Sequence, residues 1–252
     1  MYNTTEFWDK KADSYPLFDD IEMKKDVLQI LELIGERFDF SNRDILDIGC
    51  GTGSFALYLA QISNSVFGID FSKNMLSKLE LCAKKLNISN INTFQGTWEG
   101  YYNSNSFYKM FDFVLACMTP AVSTIEHFKA MCDSSKEMCV YVGWAGKREN
   151  LLFKEIFKLH DSLYQQNVNQ AFRCVEIINS FKYETTFHQF DTSWNSSYSL
   201  ENAIHEATLH LNMAGVIPNV ELIKEYIHDN AKDNIITSKT VATKGVVIWN
   251  TN

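Results

Sequence analysis

The stretch from Asp44 to Ala60, DILDIGCGTGSFALYLA, constrains the fold more than any other part of the chain. Asp44, Ile45, Leu46, Asp47 and Ile48 form a short run of mainly strand-favouring apolar residues, and glycines at alternate positions, Gly49, Gly51 and Gly53, break it. A helical run from Phe55 to Ile62 follows at once. Strand, glycine turn and helix in that order bring a ligand against bare backbone, because glycine has no Cβ to hold it off and tolerates positive φ. The helix N-terminus then offers N–H donors that lack intrahelical partners.

A second strand, Val66-Phe67-Gly68-Ile69-Asp70, ends in a carboxylate. It falls about twenty residues beyond the glycines, where dinucleotide folds place the acid that takes up ribose hydroxyls. The glycine spacing is G-x-G-x-G and departs from the G-x-G-x-x-G fingerprint of such sites. With an acid two positions before the first glycine, DIGCGTG resembles motif I of the class I S-adenosylmethionine-dependent methyltransferases, and GIDFSKNML is similar to their second motif. The resemblance covers roughly Phe7 to Gly146 and fades afterwards. It implies an α/β, Rossmann-like open sheet of about seven strands, mostly parallel with an antiparallel last strand and helices on both faces. It also implies S-adenosylmethionine as cofactor, with Asp47 reaching the methionine amino group, the turn Gly49-Cys50-Gly51-Thr52-Gly53 passing under the ligand, and Asp70 taking the ribose.

The chain has 252 residues and is 46% hydrophobic, enough to bury a full core in one large domain. We therefore expect a single methyltransferase domain over 1–252. In it, 1–43 forms an N-terminal lid and opening helix, 44–146 the cofactor half, and 147–252 a substrate-side half with a hairpin insertion near 183–198. The balance of 23 basic against 31 acidic residues, formally −8, argues against a nucleic-acid or anionic-membrane partner and for a small-molecule substrate. Six scattered cysteines without a C-x-x-C pair point to reduced thiols in a cytosol, and no zinc pattern appears. No apolar stretch approaches the roughly twenty residues of a membrane span, and the N-terminus lacks a signal core.

Along the chain, Met23, Val27, Ile30, Ile34 and Phe38 stripe a helix over Glu22–Phe38. The preceding FWDKKADSY resembles the aromatic lid segments of small-molecule methyltransferases, and Tyr15 is the preferred contact there. Ser72 stands at an N-cap position before a helix whose inner stripe is Met75, Leu79, Cys82 and Leu86. Met75, at the start of that helix, is also placed to touch the ribose or adenine edge. A third strand, Ile91–Gln95, leads to Thr97, where the family often has an acid for the adenine amino group. That departure leaves the base to stack on Phe71 or Trp98. Phe111–Ala116 forms the fourth strand, and Cys117-Met118-Thr119-Pro120 ends it at the carboxyl edge, where ligands of open α/β sheets collect. Cys117 is thus a further cofactor-side candidate.

A helix over Val122–Met131, a strand over Met138–Trp144 and a helix striped by Leu152, Ile156, Leu159 and Leu163 come next. Partial alternation over Phe181–Phe190, helices over Ser199–Met213 and Asn219–Asp229, and a strand over Thr237–Trp249 complete the order, with Trp144 placed to wall a substrate pocket. His205 and His210 are five apart and cannot share a helical face as a zinc-binding pair does. With Tyr15, His127 and His188 are the residues to test for catalysis, because one follows the fourth strand and the other lies in the expected insertion. The expected reaction is methyl transfer to an oxygen or nitrogen of a small molecule, with a sugar or phosphate-bearing surface-glycan precursor as one substrate class. Transfer of another group from the same cofactor, or a non-catalytic binding protein, are the alternatives.

Overall fold

The computed structural model describes residues 4–104, 106–164, 166 and 168–252. The chain opens with α1 (Thr5–Lys11), a 3-10 turn (Ala12–Ser14) and α2 (Ile21–Gly35). Then come β1 (Asp44–Ile48), α3 (Ala56–Leu59), β2 (Ser65–Asp70), α4 (Lys73–Lys85), β3 (Ile91–Gln95), α5 (Trp98–Ser104), β4 (Phe111–Cys117) and α6 (Ile125–Ser134). The remainder is β5 (Ser135–Asn150), α7 (Leu151–Leu159), α8 (Gln170–Ser180), β6 (Thr185–Ser199), α9 (Leu200–Met213), α10 (Val220–Asn230) and β7 (Ile235–Asn250).

The seven strands form one sheet in the order β3-β2-β1-β4-β5-β7-β6. The pairs β1–β2, β2–β3, β1–β4 and β4–β5 are parallel, and the last strands run antiparallel. β1 is central, and Ile45, Leu46 and Ile48 are wholly buried, which is why it reads as a continuous apolar run. The chain winds outward from β1 through β2 to β3 and then returns to lay β4 on the other side of β1. Such a reversal opens a crevice at the carboxyl ends of β1 and β4.

Chain contacts divide the molecule into two compact units: Met1–Gly143 with Ala171–His188 and Gly245–Asn252, and Trp144–Gln170 with Gln189–Lys244. In the first unit, the Phe38, Phe40 and Phe113 rings pack with centroids 5.2–5.3 Å apart, closing the core beneath β1 and β4. In the second, Leu152, Phe153, Ile156 and Phe157 of α7 bury against Ala203, Ala207 and Leu211 of α9 and Ile223 and Ile227 of α10.

Ser72 caps α4 as the sequence predicts, accepting from the Met75 N–H at 3.2 Å. Several expected details differ. The run from 55 to 62 is helical only over Ala56–Leu59. The α4 stripe is Met75, Leu76, Leu79 and Ala83, because Leu86 falls on the exposed C-cap. Leu159 and Leu163 are 41% and 77% exposed; α7 ends at Leu159, and Phe153 and Phe157 occupy the buried face instead. The expected hairpin near 183–198 is one long strand, β6, since no glycine or proline interrupts it. Helix α8 lies outside the expected elements; it buries Ala171, Cys174, Ile177 and Ile178.

Candidate active site

The three glycines have three different tasks. The N–H groups of Gly49 and Cys50 both donate to the Ile69 carbonyl, at 2.7 and 3.0 Å, folding the loop back over β2. Gly49 has φ +72°, and a Cβ there would lie 2.0 Å from Thr119 Oγ1, so the end of β4 occupies the space a side chain would need. Gly53, at φ +88°, would place a Cβ 2.7 Å from Leu79 Cγ; its bareness lets α4 close on the turn. Gly51, at φ +54°, faces open space with nothing within 4 Å. Only the middle glycine is therefore a cradle for something outside the protein.

Two carboxylates flank it. Asp70 Oδ2 accepts from the Gly51 N–H at 3.0 Å and Oδ1 from the Ser72 N–H at 2.8 Å. Burial raises the Asp70 pKa and these backbone donors hold it back, while the charge of Asp9 adds to the rise. Asp47 is 3% exposed, and its pKa is pushed up to about 7, first by burial and then by the charge of Asp70, against a backbone hydrogen bond from Ala56.

The N-terminal segment lies over this turn. Thr52 Oγ1 donates to the Pro16 carbonyl at 3.0 Å. Asp9 accepts from Ser72 Oγ at 2.6 Å and from the Asn74 N–H at 3.1 Å, and its carbonyl takes the Asn74 side-chain amide. An acid at the N-terminus of α4 also suits the helix dipole. Replacing Asp9 by alanine should cost about 1–2 kcal/mol of stability, the worth of a helix cap. It should also expose the bonds near Tyr15 to limited proteolysis; an unchanged digestion pattern would show that Asp9 does not anchor the segment.

The same segment brings Tyr15 beside Asp70 and Cys117. Burial raises the phenol to about 12, with the charges of Cys117 and Asp70 adding, so Tyr15 keeps its proton at neutral pH and serves as a donor. The Trp8 ring is 6.1 Å from that of Tyr15, and its Nε1–H is buried without a protein acceptor. Such an orphaned donor costs about 1–3 kcal/mol until a partner meets it. Next to Cys117, Met118 adopts φ +50° with its N–H on the Val142 carbonyl at 2.8 Å, a strained residue at the carboxyl edge. Asp9, Trp8 and Met118 escaped the sequence reading. Both Asp9 and Trp8 stand in the motif FWDKKADSY, but the partners of Asp9, Ser72 and Asn74, are remote in the chain.

Other candidates fall elsewhere. Trp98 is 1% exposed, its Nε1 donates to the His127 carbonyl at 3.2 Å, and it packs among Tyr101, Tyr102 and Phe107, so it offers no face to a base. Thr97 caps a turn by accepting from the Gly100 N–H at 3.0 Å. Met75 and Cys50 are enclosed; Cys50 Sγ fills the gap that Gly68 leaves in β2. Phe71, half-buried directly after Asp70, keeps ring surface for stacking. His127 Nδ1 accepts from the Ser123 N–H at 3.3 Å, a structural role within the α6 start. His188 lies on the edge strand β6 with its Nε2 buried and unpaired. Among the described residues no helix is long and apolar enough to cross a membrane.

An S-adenosylmethionine-like ligand fits this donor set: bare backbone at Gly51, the two carboxylates Asp70 and Asp47 close by, a half-buried ring at Phe71 and an unmet indole donor at Trp8.

Comparison with known proteins agrees. Residues 39–192 match a family model described as a methyltransferase domain. A Haemophilus influenzae protein of uncharacterized function is 25% identical over 190 residues, covering 67% of this chain and 66% of its own length. The malonyl-[acyl-carrier protein] O-methyltransferase of Buchnera aphidicola is 52% identical over 48 residues, 19% of this chain and 18% of that protein. The chain thus spans less than two thirds of the first relative and under a fifth of the second. Among solved structures, a putative methyltransferase from Bacillus halodurans superposes with a TM-score of 0.57 at 14% identity, covering 88% of this chain and 98% of that one. Magnesium protoporphyrin IX methyltransferase from Synechocystis, with bound S-adenosylhomocysteine, gives 0.54 at 14% identity over 76% and 90%. The chain belongs to the methyltransferase domain family and has the Rossmann-like fold of the class I, S-adenosylmethionine-dependent enzymes.

Proposed function

We propose that this chain transfers the methyl group of S-adenosylmethionine to an oxygen or nitrogen of a small molecule. The observation that carries the reading is Gly51, open on its outer side and flanked by Asp47 and Asp70. Asp47 holds the amino group of the methionine part, Asp70 holds the ribose, the Gly51 backbone lies under the chain between them, and Phe71 stacks on the adenine. When bound, S-adenosylmethionine supplies a methyl group already activated by its sulfonium.

The protein's task is then to orient and to exclude water. Positioning contributes about 7–11 kcal/mol to such transfers, whereas a general base adds roughly a hundred- to ten-thousand-fold. A site without a dedicated base is therefore sufficient. Tyr15, protonated at neutral pH, orients the acceptor or donor by hydrogen bonding, and the arm that Asp9 and Pro16 fasten closes over the turn. His188, with a buried and unpaired ring nitrogen, is the histidine to test as a proton acceptor; His127 is already engaged.

We read residues 1–146 as the donor-holding half and 147–252 as the acceptor-holding half of one functional domain. The excess of acidic residues disfavours a polyanionic acceptor, and six free thiols suit a reducing cytosol. Incubation with S-adenosylmethionine and candidate acceptors, read by mass, tests the reaction. A gain of one methylene per acceptor supports it, and a different gain would make the chain a transferase of another group. Substituting Asp70→Ala should weaken S-adenosylhomocysteine binding by about 1–3 kcal/mol, the scale of charge-assisted hydrogen bonds. Unchanged affinity in calorimetry would place the ribose elsewhere.

A further inference from the structure

The second unit carries a cluster that the donor site does not use. Trp144 on β5 and Trp194 on β6 stack with centroids 5.9 Å apart and planes 23° from parallel, and both rings are half-buried. The Arg148 guanidinium lies 5.0 Å above the Trp144 ring, four residues along the same strand and so on the same face. On β6 the even-numbered residues from Phe190 to Tyr198 are all half-buried while the odd ones are exposed, so the face bearing Trp194 and Tyr198 is covered only in part.

The polar groups around this face are unequally engaged. Asn150 bonds Thr240, Ser238 and the Phe153 N–H. Gln166 donates to Tyr164 through its side-chain nitrogen, but its Oε1 is buried with no partner. The Val168 carbonyl holds the Gly146 N–H at 2.9 Å, which sets Val168 beside β5. His210 rests against Phe153 at 4.6 Å and Tyr164 at 6.0 Å; burial and the Arg148 charge lower its pKa, so it is neutral at pH 7.

We propose that the second unit binds a planar aromatic acid, with its ring on the Trp144–Trp194 pair and its acidic group on Arg148. A carbohydrate would need a hydrogen-bond partner for each hydroxyl, and Asn150 is already committed within the protein. A flat ring needs only the indoles, an anion needs the guanidinium, and the Gln166 carbonyl accepts from one ring hydroxyl or amine. That hydroxyl or amine would be the methyl-accepting atom's class; calling the ligand the acceptor rests on the function proposed above, but the site itself does not.

Calorimetry on the full chain without methyl donor tests the site, using 4-hydroxybenzoate as probe and phenol, cyclohexanecarboxylate and glucose 1-phosphate as contrasts. Saturable binding of 4-hydroxybenzoate, weaker for all three contrasts, is expected. Arg148→Gln and Trp194→Ala should each weaken it by about tenfold or more. Trp194→Phe, which keeps an aromatic ring, should restore part of it, and S-adenosylhomocysteine affinity should stay unchanged in all three variants. Absence of saturation, equal binding of phenol or cyclohexanecarboxylate, preference for glucose 1-phosphate, or indifference to both substitutions overturns the site. Titrating S-adenosylhomocysteine into the same preparation separates the two readings. Probe binding without it leaves this site standing and removes the transferase, and the reverse result does the opposite.

Discussion

Gly51→Ala will fold and fail to bind the methyl donor, whereas Gly49→Ala will fail to fold well. Both positions have positive φ, +54° and +72°, so each alanine carries backbone strain of about 1–2 kcal/mol. The surroundings then separate them. At Gly51 a Cβ meets nothing within 4 Å and projects into the space assigned to the ligand. Stability should fall by little more than the strain, and S-adenosylhomocysteine affinity should drop by about a hundredfold, near 2.7 kcal/mol. At Gly49 the Cβ would sit 2.0 Å from Thr119 Oγ1 and 2.6 Å from Thr119 Cβ, so overpacking of about 1–3 kcal/mol adds to the strain. Adding Thr119→Gly to Gly49→Ala should recover the overpacking part and leave the strain. Urea melts with parallel ligand titrations read both quantities. Equal losses of stability at the two glycines would mean that the turn is only a tight connection.

Asp47→Asn should make the ligand-free protein more stable at pH 8 and the holo form weaker. The Asp47 carboxyl is raised from 3.8 to about 7 in the folded chain, chiefly because it is buried. Below pH 4 it is protonated folded or unfolded, and there is no effect. Between about 4 and 7 the unfolded chain loses this proton while the folded chain keeps it, so stability falls as pH rises, then levels off above 7. The full fall is on the order of 4 kcal/mol for a shift of this size. Asparagine removes that slope.

Ligand binding runs the other way. A cationic amino group needs the ionised carboxylate, so affinity for S-adenosylhomocysteine should rise with pH up to about 7 by about 1.4 kcal/mol per unit and then flatten. Below pH 6, calorimetry in two buffers of different ionisation enthalpy should detect close to one proton released per ligand bound. Asp47→Asn should lose this dependence together with about 1.5–3 kcal/mol of affinity at pH 8. A wild-type affinity that is flat from pH 5.5 to 8.5 would separate Asp47 from the amino group.

The parts of the fold legible in the sequence are those whose signal is local. Asp44–Ile48 reads as a buried strand because both its faces are covered, and Ser72 reads as a cap because the bond it makes spans three residues. The division of labour among the glycines was not legible, since it depends on Thr119 and Leu79, which arrive from the turn after β4 and from α4. Trp98 looked like a stacking surface for the same reason: only the packed structure brings Tyr101, Tyr102 and Phe107 around it. Asp9 is an ordinary charged residue in the chain and becomes a clamp only when α4 presents Ser72 and Asn74 to it. The second half is harder to read because β5, β6 and β7 run 15 or 16 residues each, well beyond the usual strand length, with charged and hydroxyl residues toward the ends of β5 and along β6.

The most direct measurement is a calorimetric titration of the wild-type chain with S-adenosylhomocysteine at pH 8, beside Gly51→Ala. One saturable site in the wild type, lost in a variant that still melts cooperatively, is the predicted result. No heat of binding at millimolar ligand, or equal binding by the two proteins, would contradict the assignment of the glycine turn as the donor's seat.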